Sequence, residues 1–596
     1  MTEEAVTAGP EGFAAAREQF ATILGWLDGA SSSGLDHGEL ENQLDLAGRE
    51  LLRLLMQDHV DLRAVRESRV AVVGADGGCR TRVETGHTRV LGTVFGEITV
   101  TRIAYREPGR PNLHPADAAL NLPVEKHSHG LRQLAAIESS RGSFDGAVEA
   151  IERGTGQHLG KRQVEDLAGR AAMDFDAFYR QRTPPSSDPD DVLALSCDGK
   201  GVVMRPDALR PATAKAAANT NLKLATRLSK GEKRNRKRMA EVGAVYDITP
   251  VPRCPADILP GNDTQRRQAT AGPVARNKWL TASVVDDAAT VVTTIFDEAD
   301  RRDPEHARTW IALVDGNAHQ ILRIKAEAKQ RNTTVEIIID FVHVLEYLWK
   351  AAWSFHREGD PAAETWVRKH AQTILDGHPT RVAGALRRAA TLADLDPSRR
   401  ENADKCATYL TNKKAFLDYP TAPQCGWPIA TGIIEGACRH LVKDRMDLTG
   451  ARWGLDGAEA ILKLRALHCN GDFDTYWTWH LGQEQQRVHQ SRYLNGAVPR
   501  AARGPFRRAA RKTIREATPF HDHEDTPTHQ VNSYLDSTLW VGGDNSPDRW
   551  RSILSPRGSG REILSARSET AIIGCTICVE CPDCTTWNLG RAPSHG

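Results

Sequence analysis

Three short apolar runs, each leading to an acid, constrain this chain more than any other feature. Val192-Leu-Ala-Leu195 leads through Ser196 and Cys197 to Asp198, Ile311-Ala-Leu-Val314 ends in Asp315, and Val335-Glu-Ile-Ile-Ile339 ends in Asp340. A helical pattern with Ile321, Leu322 and Ile324 separates the last two. Runs of this length read as buried strands, and strands alternating with helices build an α/β sheet. Acids that follow such strands collect at the carboxyl edge, where open α/β sheets bind their ligands. Asp198-Gly-Lys-Gly201 before Val202-Val203-Met204 reads as a tight turn into a second strand, and Asp-Gly is equally an ordinary hairpin signal. Residues 244–249 read as a third strand. Residues 282–299 fit a helix, with strand left open over 291–295.

A chain of 596 residues exceeds one core, and its patterning divides it further. Residues 1–66 are helical in period, marked by Phe13, Phe20, Ile23, Leu24 and Trp26 and then by a leucine stripe from Leu40 to Leu55, a pattern for packing or self-association. Residues 67–129 hold a β-hairpin broken at Phe95-Gly96-Glu97. Residues 130–182 carry three helical patterns. Ser143 is placed to cap the second, Gly154-Thr-Gly156 ends it, and the third starts near Lys161. That is the outline of a helix-turn-helix, in which Lys161, Arg162 and Gln163 would stand nearest DNA base edges; a plain three-helix packing unit has the same outline. A Pro- and Ser-rich linker over 183–189 leads to the α/β core, 190–349. An all-helical insertion, 350–425, interrupts the core, which resumes over 426–493. Residues 494–596 lose periodicity and read as an irregular tail.

Charge points to where a polyanion would bind. The formal net charge is only +1, so affinity for nucleic acid must be local. Between 215 and 238 nine cations, including Lys230, Lys233, Arg234, Arg236, Lys237 and Arg238, face the single acid Glu232. Contact with a phosphate backbone accounts for that sign better than a solvated loop does. No apolar run approaches the ~20 residues of a membrane span and no signal peptide is apparent, so a cytoplasmic, nucleoid-associated protein is expected. Seven of eleven cysteines are scattered singly. The other four, Cys575, Cys578, Cys581 and Cys584, are spaced for Zn²⁺ or an Fe–S cluster, or else belong to an extension without function.

After the insertion, residues 432–446 show two faces. Ile434, Ala437, Cys438, Leu441 and Val442 face inward, while Glu435, Arg439 and Lys443 share an outer stripe at i, i+4, i+8. The stripe is either a solvated ladder or an acid flanked by phosphate clamps. Two readings of the acids follow. In one, Asp198, Asp315 and Glu435 hold a pair of Mg²⁺ or Mn²⁺ ions for in-line displacement at phosphorus. In the other they are turn and surface residues of a module that only grips DNA. Asp315 is favoured over Asp340 as the second ligand. Gly316 lets a phosphate approach Asp315 closely, whereas Asp340 stands one helical turn from His343 and suits an orienting role.

The order Asp198, Asp315, Asp340-x-x-His343, helical insertion, Glu435, Arg445-Met446 and Gly450-Ala-Arg452-Trp453 resembles bacterial insertion-sequence transposases of the DDE class. It is most similar to the Kra-type family, with kinship to Mutator-like elements, over residues 80–493. The resemblance implies an RNase H-like catalytic core and Mg²⁺-dependent cleavage at element ends, with strand transfer into target DNA. It further implies a catalytic and metal-binding triad of Asp198, Asp315 and Glu435. Asp340, His343, Arg439, Arg445, Arg452 and Trp453 are then accessory residues, and the partners are double-stranded terminal repeats and target DNA. A homo-oligomer is expected. A structure-specific nuclease on the same fold and a catalytically inactive DNA-binding protein are the alternatives.

Overall fold

The computed structural model describes residues 12–219, 236–261, 263–448 and 450–500. They fall into two units, one running to Arg180 and returning at Phe473, the other spanning Gln181 to Asp472.

The second unit is built on a five-stranded mixed sheet. The strands are β3 (Val192–Val203), β4 (Lys237–Ile248), β5 (Ala275–Ser283), β6 (Trp310–Val314) and β7 (Val335–Ile339), in the spatial order β5-β4-β3-β6-β7. Only β4 runs against the others: it pairs antiparallel with β3 and β5, while β3, β6 and β7 are mutually parallel. All five residues of β6 are buried, as a central strand covered on both faces requires. The helix Ala288–Arg302 covers one face and packs so closely that a Cβ on Gly243 would lie 2.5 Å from Ile295 Cγ2. The segment 432–446 packs on the other face, against β3 and β4. At the β5 edge the Asn470 amide stands in for a missing strand, accepting from Leu280 N at 2.8 Å and donating to Leu280 O at 3.0 Å.

Three local expectations are corrected here. Residues 192–203 form one continuous strand with no turn at Asp198-Gly-Lys-Gly201, because β4 pairs with β3 over its whole length, Asp198 opposite Val242 and Gly199 opposite Glu241. A long antiparallel partner satisfies the backbone groups that a turn would otherwise have to close on themselves. The strand expected at 244–249 is the end of the longer β4, and residues 282–299 divide between the end of β5 and the Ala288–Arg302 helix, capped by Asp287. The expected strands over 311–314 and 335–339 and the helix between them are present. Residues 350–425 are helical throughout their regular parts, with helices Pro361–Leu375, Pro379–Leu392 and Pro397–Asn412, each opening on a proline that needs no helical N–H partner.

In the first unit a helical pair, Ala14–Leu27 and His37–Val65, precedes a two-stranded ribbon of β1 (Arg82–Thr93) and β2 (Gly96–Arg106). Phe20, Leu24, Leu44, Leu52 and Leu55 of that pair are exposed. Three helices follow, His129–Arg141, Phe144–Thr155 and Lys161–Ala172, around a core of Leu131, Ala135, Ile151, Val164 and Leu167. Ser143 caps the second through Gly146 N, and Gly156, at φ +68°, ends it in the left-handed conformation that glycine adopts without a Cβ clash. The helix Phe473–Glu484 packs with these three rather than with the sheet: Tyr476 Oη donates to Ala171 O at 2.6 Å. No helix among the described residues is long and apolar enough to cross a membrane.

Candidate active site

Strand register brings the acids together. β3 pairs with β6 as far as Ser196 opposite Leu313, and the same parallel register carried two residues further sets Asp198 level with Asp315. β6 pairs with β7 through Val314 opposite Ile339, so Asp315 and Asp340 are level in turn. Asp198, more than a hundred residues before the other two, thus stands level with Asp315 and Asp340, which directly follow the neighbouring strands.

Their surroundings differ. Asp198 is half-buried: Oδ1 accepts from Gly199 N at 2.7 Å and Oδ2 from the Cys438 thiol at 3.3 Å. Burial and then the negative charge of Asp315 push its carboxyl up to about 6, against weaker opposition from those hydrogen bonds and from Lys200. Asp315 is half-exposed and closes a small turn by accepting from Asn317 N at 2.7 Å. The peptide carbonyl of Asp315 accepts from Tyr409 Oη at 3.1 Å. Asp340 is buried and fully engaged. It caps the helix Phe341–Ala352 through Val342 N at 2.7 Å and accepts from both the hydroxyl and the N–H of Thr431. Burial raises its carboxyl, opposed by those donors. Asp340 therefore locks the entry to residues 432–446 against β7. His343 stands one turn on, 3.8 Å from Glu346.

Glu435 lies in the first turn of the helix Gly432–Ala437, and its charge is felt at Cys438, one turn on, which itself contacts Asp198. The inward face of this segment is as expected, with Ile434, Ala437, Cys438, Leu441 and Val442 all buried. The straight outer stripe is not. Cys438–Lys443 winds as a π-turn, so the α-helical i, i+4, i+8 spacing of Glu435, Arg439 and Lys443 does not hold. Exposed Arg439 is instead 3.8 Å from Asp444. Arg445 is buried with its guanidinium over the Trp453 ring at 4.6 Å, and burial lowers its pKa to about 10. Trp453 extends the sheet edge, its N–H on Val203 O at 3.0 Å and its carbonyl on Arg205 N at 2.7 Å, while Arg452 is exposed.

Among the described residues no group of three or more His, Cys, Asp or Glu side chains is arranged to hold a metal ion. Asp198 and Asp315 nevertheless suit a hard divalent cation: both are carboxylates, each keeps lone pairs beyond its hydrogen bonds, and their mutual repulsion marks a place where positive charge would be stabilised. Glu435 relates to the pair through Cys438 and does not complete a three-ligand set with it.

Three contributors carried no functional signal in the sequence. Glu241, opposite Gly199 and so on the other face of the sheet from Asp198, is raised by burial and by the Asp198 charge. Only the β3–β4 register could have pointed to it. Cys438 reads as packing, though it follows Glu435 by three residues. Tyr409 is 94 positions from Asp315 and has no local signature.

Among the expected DNA contacts, Lys161 and Arg162 are exposed at the start of their helix, with Lys161 2.6 Å from Asp145. Gln163 instead caps its own helix, accepting from Gly160 N at 2.9 Å, so its carbonyl oxygen is not free for bases. Arg238 spends its guanidinium on the carbonyls of Val284, Ala208 and Val285. Arg236 and Lys237 are half-buried at the start of β4. Lys230, Lys233, Arg234 and the four tail cysteines lie outside the described residues.

No protein-family model matches the chain, and neither does any curated protein sequence.

One expectation follows from the Asp198 environment. Its folded pKa of about 6 lies above the ~3.9 of an unfolded aspartate, so folding disfavours the charged form. The resulting penalty is fully present above about pH 6 and vanishes as pH falls through about 4. Asp198→Asn is therefore expected to stabilise the chain at pH 8 by roughly 2–3 kcal/mol, with no gain at pH 4. Denaturant melts at both pH values check this; an equal gain at both would show that the carboxylate is not strained.

Proposed function

We propose that this chain is a DDE-type DNA transposase whose second unit is an RNase H-like catalytic domain. The observation that carries the reading is the level placement of Asp198 and Asp315 at adjacent parallel strands, with mutual repulsion that a cation would relieve. The strand order, third-second-first-fourth-fifth with only the second antiparallel, supports the fold assignment.

In this reading Asp198 and Asp315 would hold the divalent cation, and Glu435, which is not arranged with them as a three-ligand set, would join them only when the cation and DNA bind. When bound, the cation would polarise a phosphoryl oxygen and favour a deprotonated water or DNA 3′-hydroxyl as nucleophile. The chain itself supplies placement. β3 and β6 fix the two carboxylates, the Cys438 thiol and Gly199 N–H orient Asp198, and Asp340 with Thr431 fixes the segment that bears Glu435. No protein nucleophile is required. Lys161 and Arg162 are the side chains by which the first unit would meet DNA.

The test is incubation of the full-length protein with Mg²⁺, a supercoiled plasmid target and a duplex copied from the DNA flanking its own coding sequence. Joined product supports a transposase. Cutting without joining identifies a nuclease, and binding without either identifies an inactive DNA-binding protein. Arg162→Ala is expected to weaken binding to the flanking duplex by about 1–3 kcal/mol if Arg162 meets a base, and to flatten the salt dependence by ~0.9 if it meets a phosphate. Unchanged binding and salt slope would remove it from the interface.

A further inference from the structure

We propose that Tyr409, a residue of the helical insertion, is a positioning residue for Asp315. The inference rests on the reading of Asp315 as a cation ligand and assigns the insertion a part in the chemistry.

The geometry fixes Tyr409 from two directions. Its ring stacks on Tyr347 with centroids 4.0 Å apart and planes 14° from parallel, and Tyr347 belongs to the helix Phe341–Ala352 that begins where β7 ends. Its hydroxyl donates to the carbonyl oxygen of Asp315, where β6 ends. One side chain thus ties the end of β6 to the second turn of the helix that follows β7.

The chain at Asp315 is shaped to receive that hydroxyl. Gly316 sits at φ +94°, and a Cβ there would lie 2.9 Å from Tyr409 Oη and 3.2 Å from Ile339 Cδ1. The residue after Asp315 is therefore restricted to glycine by its backbone angle and also by the phenol. Because Asp315 Oδ1 accepts from Asn317 N, the carboxylate turns with the same few peptide units whose carbonyl Tyr409 holds. A shift of that peptide moves the carboxylate away from Asp198.

A second phenol gives an internal control. Tyr419, also from the insertion, is buried and donates to Ile339 O at 2.8 Å. The bond is of the same kind on the neighbouring strand, but it precedes Asp340, which is engaged with Thr431 and Val342. If such bonds only add stability, loss of either hydroxyl has the same consequence. If Tyr409 positions a ligand, only its loss alters the response to cation.

The experiment compares full-length Tyr409→Phe, Gly316→Ala, Tyr419→Phe and Asp315→Asn. It measures Mn²⁺ affinity by electron paramagnetic resonance without DNA, the half-saturating Mg²⁺ for cleavage of the flanking duplex, and the melting temperature. Tyr409→Phe and Gly316→Ala are each expected to weaken Mn²⁺ binding and raise half-saturating Mg²⁺ about tenfold. Tyr419→Phe should lower melting while leaving both cation measures at wild type. Wild-type Mn²⁺ affinity in Tyr409→Phe, or an equal loss in Tyr419→Phe, overturns the proposal. Wild-type cleavage and Mn²⁺ binding in Asp315→Asn would instead overturn the reading beneath it.

Discussion

Asp315→Asn is expected to abolish Mg²⁺-dependent cleavage, with a loss of at least about a thousandfold, while leaving the melting temperature near that of the wild type. The substitution keeps the oxygen that accepts from Asn317 N, so the turn survives. It removes one of the two charges that would hold the cation. Asp340→Asn should behave in the opposite way. That carboxylate is buried, caps a helix and takes both donors of Thr431, so an amide in its place turns one accepting oxygen into a donor facing a donor. Instability is then the primary defect, and any loss of cleavage follows the folded fraction. Measuring cleavage per folded molecule separates the two. A folded Asp340→Asn without activity, beside an active Asp315→Asn, would mean that the second ligand has been assigned to the wrong strand end.

The largest loss of stability is expected in the first unit, from Arg132→Met. Arg132 is fully buried, and its guanidinium donates to Glu125 and to Glu484 at 2.7 Å. Glu484 is shared with Arg487, which also clamps Asp174 with two N–H groups at 2.9 Å, and Asp174 contacts His480 Nδ1 at 2.7 Å. Burial alone would raise Asp174, but His480 and Arg487 outweigh it and hold the carboxyl at about 2. Removing Arg132 leaves Glu125 and Glu484 without their central cation, which costs roughly 3–5 kcal/mol. Against a total of about 5–15 kcal/mol, that is enough to lower melting of the unit by roughly 10 °C or more. Because Asp174 and Glu484 are held below their unfolded values, the network stabilises above about pH 4 and weakens as pH falls below that. Calorimetry of the full chain should show the loss at pH 7 shrinking toward pH 3. A change below about 1 kcal/mol at pH 7 would show that the network is replaceable by packing.

Much of the frame was legible in the sequence because it depends on local pattern. The apolar run over 311–314 marked β6, because a strand covered on both faces needs no alternation, and 337–339 marked the edge strand β7 despite its exposed Glu336. Ser143, the Gly154–Gly156 break and Lys161 gave the ends of two helices, because caps and breakers act within one turn. The inward face of 432–446 was equally plain, since burial depends on period alone. Where pattern was ambiguous, distant pairing decided. Asp198-Gly-Lys-Gly is a turn signal in isolation and a straight strand beside β4. The outer stripe at Glu435 failed because the π-turn is invisible to a count of residues. Gln163, Arg238 and Arg445 carry the right chemistry for DNA, yet the Gln163 side-chain oxygen caps its own helix, the Arg238 guanidinium meets backbone carbonyls and the Arg445 guanidinium stacks on Trp453.

The sequence by itself determined β6, β7, the helix between them and the acids that follow these strands, because hydrophobic period and capping are short-range. Only the tertiary structure decided that Asp198 and Asp315 share one level, that Asp340 is consumed by Thr431, and that Tyr409 reaches Asp315 across 94 positions. Strand register and side-chain contact are set by where distant segments meet, and no local propensity encodes that meeting.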